Sequence, residues 1–160
     1  PVTLIIALPR PKMVKRIIQT ITTMGVKELY FINSYKVEKS FWQSPWLTEA
    51  KLLENVILGL EQAMDTQLPT IHLRKRFKPF VEDELPEIAK NSLRLVAHPS
   101  DRQDCPIQVK QQTTLVIGPE GGFIPYEIEK LEACGFTTVS LGDRILRTET
   151  AVPVLLSKLF

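Results

Sequence analysis

The chain has 160 residues, of which 44% are hydrophobic and 24% are charged. These values are ordinary for a soluble globular protein, and the length suits one domain with a substantial core. A formal net charge of +2 is too small to indicate a nucleic-acid partner by itself, so the distribution of charge along the chain matters more.

Cysteine and histidine are sparse and scattered. Cys105 and Cys134 lack CxxC spacing, so we expect neither a disulfide framework nor a metal set. His72 and His98 have no partner at the spacing of metal ligands, so we expect no metal. No apolar run approaches the roughly 20 residues of a membrane span, and no signal peptide is visible. We therefore expect a cytoplasmic protein that does not span a membrane.

Apolar runs alternate along the chain with segments of helical periodicity. Strands are predicted at residues 4–8, 29–33, 71–73, 93–97, 113–117 and 137–141, and helices at 12–24, 47–64, 125–134 and 150–160. This alternation predicts an α/β fold with a mostly parallel sheet and helices on both faces, in one domain over residues 1–160. Ligands in such folds bind beyond the carboxyl ends of the strands.

A glycine-bearing loop, Gly118-Pro119-Glu120-Gly121-Gly122, follows the predicted strand 113–117. Glycine allows a close approach of backbone to a ligand, although an isolated sequence of this kind is more often a simple turn. The loop is neither a P-loop nor a GxGxxG motif, so a phosphate cradle is not expected. A cofactor held through its nucleoside part and a neutral backbone fits better.

A second loop follows the predicted strand 137–141 and carries Arg144 and Arg147. Arginine binds phosphate or carboxylate in a bidentate manner, although a solvated loop arginine is the alternative. Glu149 could accept a proton, but a glutamate near a helix start more often interacts with the helix dipole. Because Pro153 is tolerated best in the first turn, Thr150 is the predicted N-cap of the last helix. That helix carries an apolar face that packs either on the sheet or on a second subunit.

The basic segment Arg74, Lys75, Arg76, Phe77 and Lys78 follows the predicted strand 71–73. Clusters of this kind contact RNA phosphates, although a basic run can also be a solvated edge. We predict RNA contacts from its four cations.

The last third of the chain resembles the RsmE family of ribosomal RNA methyltransferases, in the SPOUT superfamily. The resemblance is carried by Ile117-Gly118-Pro119-Glu120-Gly121-Gly122-Phe123, Glu127-Ile128, Gly135-Phe136, Leu141-Gly142 and Arg144-Ile145-Leu146-Arg147-Thr148-Glu149-Thr150-Ala151. The spacing of these motifs is specific, and the similarity over the rest of the chain is weaker.

The resemblance implies an α/β domain with a C-terminal trefoil knot, an exception to the rule against knots. It also implies a homodimer that uses S-adenosylmethionine to methylate N3 of a uridine in ribosomal RNA of the small subunit. Three loops, 95–99, 117–122 and 141–151, would bind the cofactor. The residues implied for this role are Ala97, His98, Ile117, Gly118, Glu120, Gly121, Gly122, Leu141, Gly142, Ile145, Leu146, Arg147, Thr150 and Ala151.

For catalysis we expect Arg147 to orient the substrate and stabilise an anion, with Glu149 or Glu120 as the candidate base. Arg144 is expected to contact RNA beside the basic segment. Members of the family normally carry an N-terminal PUA-like RNA-binding domain, which residues 1–160 do not include, so we expect either the catalytic-domain piece of a longer protein or a protein that binds RNA differently.

The substrate side departs from the family pattern. Thr20 and Thr23 stand where many relatives have Lys and Glu, Asp65 replaces an arginine, and Ile124 replaces a capping Ser or Thr. Methyl transfer is therefore the firmer expectation, and the particular uridine is not fixed by these residues. The alternatives are methyl transfer to another acceptor, such as a ribose 2′-hydroxyl, and a non-catalytic RNA-binding or ribosome-assembly protein that keeps the pocket.

Overall fold

The structure is a computed structural model that describes residues 2–99, 103–142 and 145–160. The strands are β1 (Val2–Ala7), β2 (Glu28–Ile32), β3 (Thr70–Arg74), β4 (Leu93–Ala97), β5 (Gln103–Asp104), β6 (Thr113–Ile117) and β7 (Thr137–Ser140). The α-helices are α1 (Pro11–Thr23), α2 (Glu49–Ala63), α3 (Phe77–Pro79), α4 (Leu85–Ile88), α5 (Pro125–Ala133) and α6 (Thr148–Leu159). Short 3-10 turns cover Lys39–Gln43 and Pro45–Leu47, and a π-helical turn covers Phe80–Glu84.

The strands form one sheet of seven strands in the order β3-β2-β1-β6-β4-β7-β5. Every strand pair is parallel, which confirms the predicted fold class. Because parallel strands point the same way, the loops that follow β1, β2, β3, β4, β6 and β7 all leave from the carboxyl edge of the sheet.

The centre of the sheet is covered on both faces. Leu4, Ile5, Ile6 and Ala7 of β1 are all fully buried, and so is most of β6. Successive residues of a strand point to opposite faces, so burial of four in a row requires cover above and below the sheet. This explains why these two strands are continuous apolar runs rather than alternating ones.

Helices α1 and α2 approach each other closely at Gly59. A Cβ atom at Gly59 would lie 2.7 Å from Cβ of Thr22 and 3.0 Å from the carbonyl oxygen of Gln19. Asn55 supports the same contact, because its Oδ1 accepts a hydrogen bond of 2.9 Å from Nε2 of Gln19. The small residue at position 59 therefore sets the distance between the two helices.

The start of α6 differs from the prediction. Arg147 is the N-cap and the helix begins at Thr148, so the prediction that Thr150 caps the helix is wrong. Pro153 consequently lies inside the helix, where it cannot donate a hydrogen bond to the carbonyl of Glu149. The predicted apolar face is buried within the chain itself and consists of Val152, Leu155, Leu156 and Leu159.

Two pieces of regular structure were not predicted. The segment from Phe77 to Ile88 is helical in three short stretches, and β5 adds an edge strand beside β7. No helix in the described ranges is long and apolar enough to cross a bilayer. The trefoil knot stays a prediction.

Candidate functional site

A cavity lies at the carboxyl ends of β4, β6 and β7 and encloses about 600 Å³ of free space, part of it open to solvent. The loops after these three strands build its walls, and α6 closes it with Thr148, Ala151 and Leu155. The position of the cavity at the carboxyl edge and its mostly apolar lining are typical of sites for a small molecule or cofactor.

The residues around this cavity are mostly apolar and carry little charge. Leu141, Ile145 and Leu146 form one wall, and Gly118 and Gly142 expose backbone. Glu120 is the charged residue among the lining residues that the structure describes. Such a lining suits a ligand that has a flat apolar ring, hydrogen-bonded by backbone groups, and a positive charge near Glu120. It does not suit a phosphate, which a carboxylate would repel.

The turn at residues 119–122 depends on glycine at its last position. The amide of Gly122 donates a hydrogen bond of 2.8 Å to the carbonyl of Pro119, and Gly122 has φ +80°. Residues with a side chain rarely adopt this conformation. Gly118 is restricted for another reason, because a Cβ atom there would lie 3.0 Å from the ring of Phe123.

The cavity collects most of the predicted cofactor residues. Those that line it are Ala97, His98, Ile117, Gly118, Glu120, Gly122, Leu141, Gly142, Ile145, Leu146 and Ala151. Thr148 lines it too, within the predicted cofactor loop 141–151, whereas Val139, Ser140 and Leu155 line it and were not predicted.

Gly121, Arg147 and Thr150 are the predicted cofactor residues that the structure does not bring to the cavity. A Cβ atom at Gly121 would meet Cδ of Lys36 at 2.8 Å, so this glycine faces Lys36 instead. The side chains of Arg147 and Thr150 are exposed, because both belong to the outer side of the first turn of α6.

Glu149 points away from the cavity. It lines a small hollow between α1 and α6 together with Arg16, Ile17, Thr20, Val152 and Pro153. Its Oε2 atom is buried and has no hydrogen-bond partner among the residues described. This position separates Glu149 from Glu120, the other candidate base, which does reach the cavity.

Glu127 fixes the cavity loop to the neighbouring part of the sheet. Its carboxylate is buried and accepts three hydrogen bonds of 3.0 Å, from Oγ of Ser34 and from the amides of Tyr35 and Ile124. The bond from the amide of Ile124, the N-cap of α5, to Glu127 is one of the two bonds of a capping box. The second bond needs an acceptor on the N-cap side chain, which Ile124 does not have. The sequence signal was a glutamate three residues after the N-cap position.

The basic segment lies at the same edge of the sheet as the cavity, since it follows β3. Arg74 is half-buried, and its Nε donates to Glu84 at 2.8 and 2.9 Å, so this cation is used within the chain. Lys75, Arg76 and Lys78 are exposed. Phe77 packs near Phe123, with ring centroids 6.0 Å apart, which ties the segment to the cavity loop. Arg144, the other predicted RNA contact, lies outside the described residues.

The residues that depart from the family pattern have local partners. Asp65 forms an ion pair with Lys27 at the end of α2. Its pKa is lowered from the usual 3.8, first by the hydrogen bond from the backbone of Gln67 and then by Lys27. Thr23 donates from its hydroxyl to the carbonyl of Gln19 at 2.8 Å, and Thr20 lines the hollow beside Glu149.

The thiols are unsuited to nucleophilic chemistry. Burial raises the pKa of Cys105 and of Cys134, which lowers the thiolate fraction at neutral pH. Within the described ranges, no three His, Cys, Asp or Glu side chains are grouped in a way that could hold a metal ion.

Comparison with known proteins places this architecture among methyltransferases. The family model described as "RNA methyltransferase domain" matches residues 1–160. The ribosomal RNA small subunit methyltransferase E of Mesomycoplasma hyopneumoniae is 31% identical over 166 residues, which is 98% of this chain and 68% of that protein. The enzyme of the same name from Treponema pallidum is 29% identical, over 94% of this chain and 58% of that protein. The chain thus spans about three fifths to two thirds of the length of these relatives.

Solved structures of similar fold include proteins with a bound cofactor. A protein from Legionella pneumophila in complex with S-adenosylmethionine has a TM-score of 0.79 at 27% identity, over 98% of this chain and 65% of that chain. The ribosomal RNA small subunit methyltransferase E of Neisseria gonorrhoeae, bound to S-adenosylmethionine, has a TM-score of 0.76 at 22% identity, over 98% of this chain and 64% of that chain.

Proposed function

This chain belongs to the RNA methyltransferase family, among the small-subunit ribosomal RNA methyltransferases E, and on that premise we propose that it methylates a uridine of ribosomal RNA at N3 with S-adenosylmethionine. The observation that carries the proposal is the cavity at the carboxyl edge of the sheet. Its wall is apolar, its glycines expose backbone, and Glu120 is the carboxylate among its described lining residues.

The lining of the cavity fits S-adenosylmethionine. The apolar side chains of Leu141, Ile145 and Leu146 would cover the adenine ring, and the backbone at Gly118 and Gly142 would hydrogen-bond the polar atoms. Glu120 balances a positively charged ligand and would oppose a phosphate. When bound, S-adenosylmethionine supplies an activated methyl group.

The protein's own contribution is mainly positional. Methyl transfer requires the acceptor atom to approach in line, so a rigid turn at residues 119–122 and the fixed start of α6 hold the two partners at the required angle. The acceptor nitrogen is part of the Watson–Crick edge, so the target base must be unpaired or flipped out of a helix. The exposed guanidinium of Arg147, next to Leu146 of the cavity wall, would then orient the RNA or stabilise negative charge on the base.

The RNA partner would be the small ribosomal subunit, reached in the cytoplasm. Lys75, Arg76 and Lys78 are exposed at the same edge of the sheet as the cavity and would contact phosphates together with Arg144.

The homodimer expected from the resemblance would use a smaller surface than the apolar face of α6, since that face is already buried. Met24, Val154 and Phe160 remain 43%, 39% and 45% exposed. Met24 and Phe160 border one groove between the end of α1 and the end of α6. We place the dimer contact on this apolar surface.

Two measurements test the proposed function. Titration calorimetry of the protein with S-adenosylmethionine tests the cavity, and mass spectrometry of nucleosides from the small subunit tests the acceptor. Loss of N3-methyluridine from a deletion strain, restored by the gene, is the expected result. Loss of a 2′-O-methylated nucleoside instead would favour a ribose acceptor, and binding without any lost modification would favour the non-catalytic alternative.

A further inference from the structure

A second groove opens beside the cofactor cavity, on the side of β1 and β2. It encloses about 580 Å³ of free space, part of it solvent, and shares Pro119 and Glu120 with the cavity. The loop after β1 contributes Arg10, and the loop after β2 contributes Lys36 and Phe41. The two spaces therefore both border Glu120, so a ligand in the groove would lie next to a cofactor in the cavity.

The groove is lined by two cations, Arg10 and Lys36, and by two carboxylates, Glu120 and Glu38. Nη2 of Arg10 lies 3.4 Å from Oε1 of Glu120, and both side chains are about half exposed. Nζ of Lys36 donates a hydrogen bond of 2.8 Å to the carbonyl of Gly121. An exposed ion pair at this distance is weak, so a ligand with better-placed acceptors can separate Arg10 from Glu120.

Phe41 adds an aromatic surface to the groove. The ring is half-buried and is held in place by a 3-10 turn, Lys39–Gln43. Unpaired bases of RNA are recognised mainly by stacking on such rings.

We propose that this groove is the subsite for the acceptor uracil, with its ring on Phe41, its carbonyls on Arg10 and Lys36, and its N3 hydrogen on Glu120. The Watson–Crick edge of uracil presents an acceptor, a donor and an acceptor in that order. Arg10 and Lys36 are donors that suit the two carbonyls, and the carboxylate of Glu120 is an acceptor that suits the N3 hydrogen, whereas cytosine, with an acceptor at N3, would place its lone pair against Glu120. The inference rests on the proposed function, whose acceptor it locates.

The chemical step balances at this site. The N3–H bond breaks and its proton passes to the carboxylate of Glu120, while the N3 electron pair forms the new bond to the methyl carbon of S-adenosylmethionine. The bond from that carbon to sulfur breaks, and its electrons remain on sulfur as a neutral thioether. Glu120 then releases the proton to solvent through the open groove. Arg10 and Lys36 stabilise the negative charge that develops on the carbonyl oxygens.

The first test compares Phe41→Ala, Phe41→Tyr and Glu120→Gln, with Tyr126→Ala as an aromatic control on α5 away from the groove. Methyl transfer is measured on small subunits from a strain that lacks the enzyme, at saturating S-adenosylmethionine, and cofactor Kd by calorimetry. We expect Phe41→Ala to lower kcat/KM roughly 10- to 100-fold, with cofactor Kd unchanged and activity restored in Phe41→Tyr. Glu120→Gln should lower kcat by about 100-fold or more. Values within twofold of wild type for both variants would overturn the proposal.

The second test does not depend on methyl transfer. Binding of oligouridylate and of oligocytidylate to the protein is compared at equal salt, in wild type and in Phe41→Ala. The proposal expects a preference for oligouridylate that Phe41→Ala abolishes. Equal affinity of the wild type for the two oligomers would overturn it even if methyl transfer were normal. Failure of the protein to bind S-adenosylmethionine would instead count against the proposed function. The comparison of oligouridylate with oligocytidylate would still decide whether the groove binds uracil.

Discussion

The carboxylate of Glu127 accepts a hydrogen bond of 3.0 Å from the hydroxyl of Ser34, across 93 residues of chain. The contact joins the loop after β2, which borders the second groove, to the first turn of α5, which follows the loop at residues 118–122. The two halves of the candidate site are thus held together by one buried side chain.

Glu127→Ala should destabilise the fold. The substitution leaves the hydroxyl of Ser34 and the amides of Tyr35 and Ile124 without their acceptor, and an unsatisfied buried donor costs about 1–3 kcal/mol. We expect the free energy of unfolding, measured with urea, to fall by about 3 kcal/mol. Glu129→Ala, an exposed position on the same helix, should change it by less than about 0.5 kcal/mol. Equal losses in the two variants would show that the three bonds contribute nothing specific.

Ala151→Leu should weaken cofactor binding. Ala151 is buried and lines the cavity, so the larger side chain would occupy space that the ligand needs. Overpacking of this kind costs about 1–3 kcal/mol, which corresponds to roughly a 10- to 100-fold increase in Kd. Thr150→Leu is the matched control, because Thr150 is exposed on the neighbouring position of α6. If calorimetry gave the same Kd for both variants, with both folded by circular dichroism, the cavity would not be the cofactor site.

The exposed part of the basic segment should set the salt dependence of RNA binding. Each phosphate contact contributes about 0.9 to the log–log salt slope on duplex and about 0.7 on single strands, so Lys75→Ala/Arg76→Ala should flatten it by roughly 1–2. The predicted RNA contact of Arg74 is left out of this variant, because its Nε is already paired with Glu84 and its loss would also affect the fold. Lys90→Ala/Lys110→Ala removes the same charge from the opposite edge of the sheet, before β4 and β6, and should leave the slope unchanged. The slopes are measured by titrating ribosomal RNA fragments at several salt concentrations with the wild type and each double variant. If Lys75→Ala/Arg76→Ala gave the same slope as the wild type, the basic segment would be only a solvated surface.

Asp65→Asn should lower stability at neutral pH and lose its effect in acid. The folded-state pKa of Asp65 lies below the usual 3.8, so the ionised carboxylate stabilises the fold. That contribution is complete above pH 3.8 and is lost as pH falls through the lowered folded-state value. Thermal unfolding of wild type and variant should therefore differ at pH 7 and converge in acid. A difference that stayed constant with pH would exclude the ion pair with Lys27 as its source.

The proposed dimer contact can be tested with substitutions outside the core. Val154→Lys/Phe160→Asp introduces charge on the proposed apolar surface, where both side chains are partly exposed. Sedimentation equilibrium at micromolar concentration should then give the mass of one chain, against two for wild type. Leu58→Lys, on an equally exposed position of α2, should leave the dimer intact. A monomeric wild type would rule the contact out.

The sequence predicted the sheet and its four long helices because their apolar residues repeat with clear periods. The segment after Arg76 was missed although Phe77, Phe80 and Val81 follow helical spacing, since Pro79 and Pro86 argue against a regular helix and the segment turns through a π-helical stretch instead. The prediction for α6 failed at Pro153, which the structure accommodates in the helix interior.

For the candidate site, the three loops could be predicted from their glycines and from the resemblance, whereas side-chain direction could not. Gly121 and Gly122 are neighbours, yet only Gly122 lines the cavity, because the turn directs Gly121 toward Lys36. Likewise Glu120 and Glu149 looked equivalent as candidate bases until the fold placed Glu149 against α1.

The order of the strands also constrains how the molecule can form during synthesis. β1 pairs with β6 through Val2 and Thr113 and their successors, so the central pair of the sheet joins the beginning of the chain to its last third. Contacts so distant in sequence slow folding, and until β6 leaves the ribosome the edge of β1 opposite β2 exposes unpaired backbone groups. A nascent chain that stops before residue 113 should therefore engage chaperones and resist compaction, however stable the finished domain is.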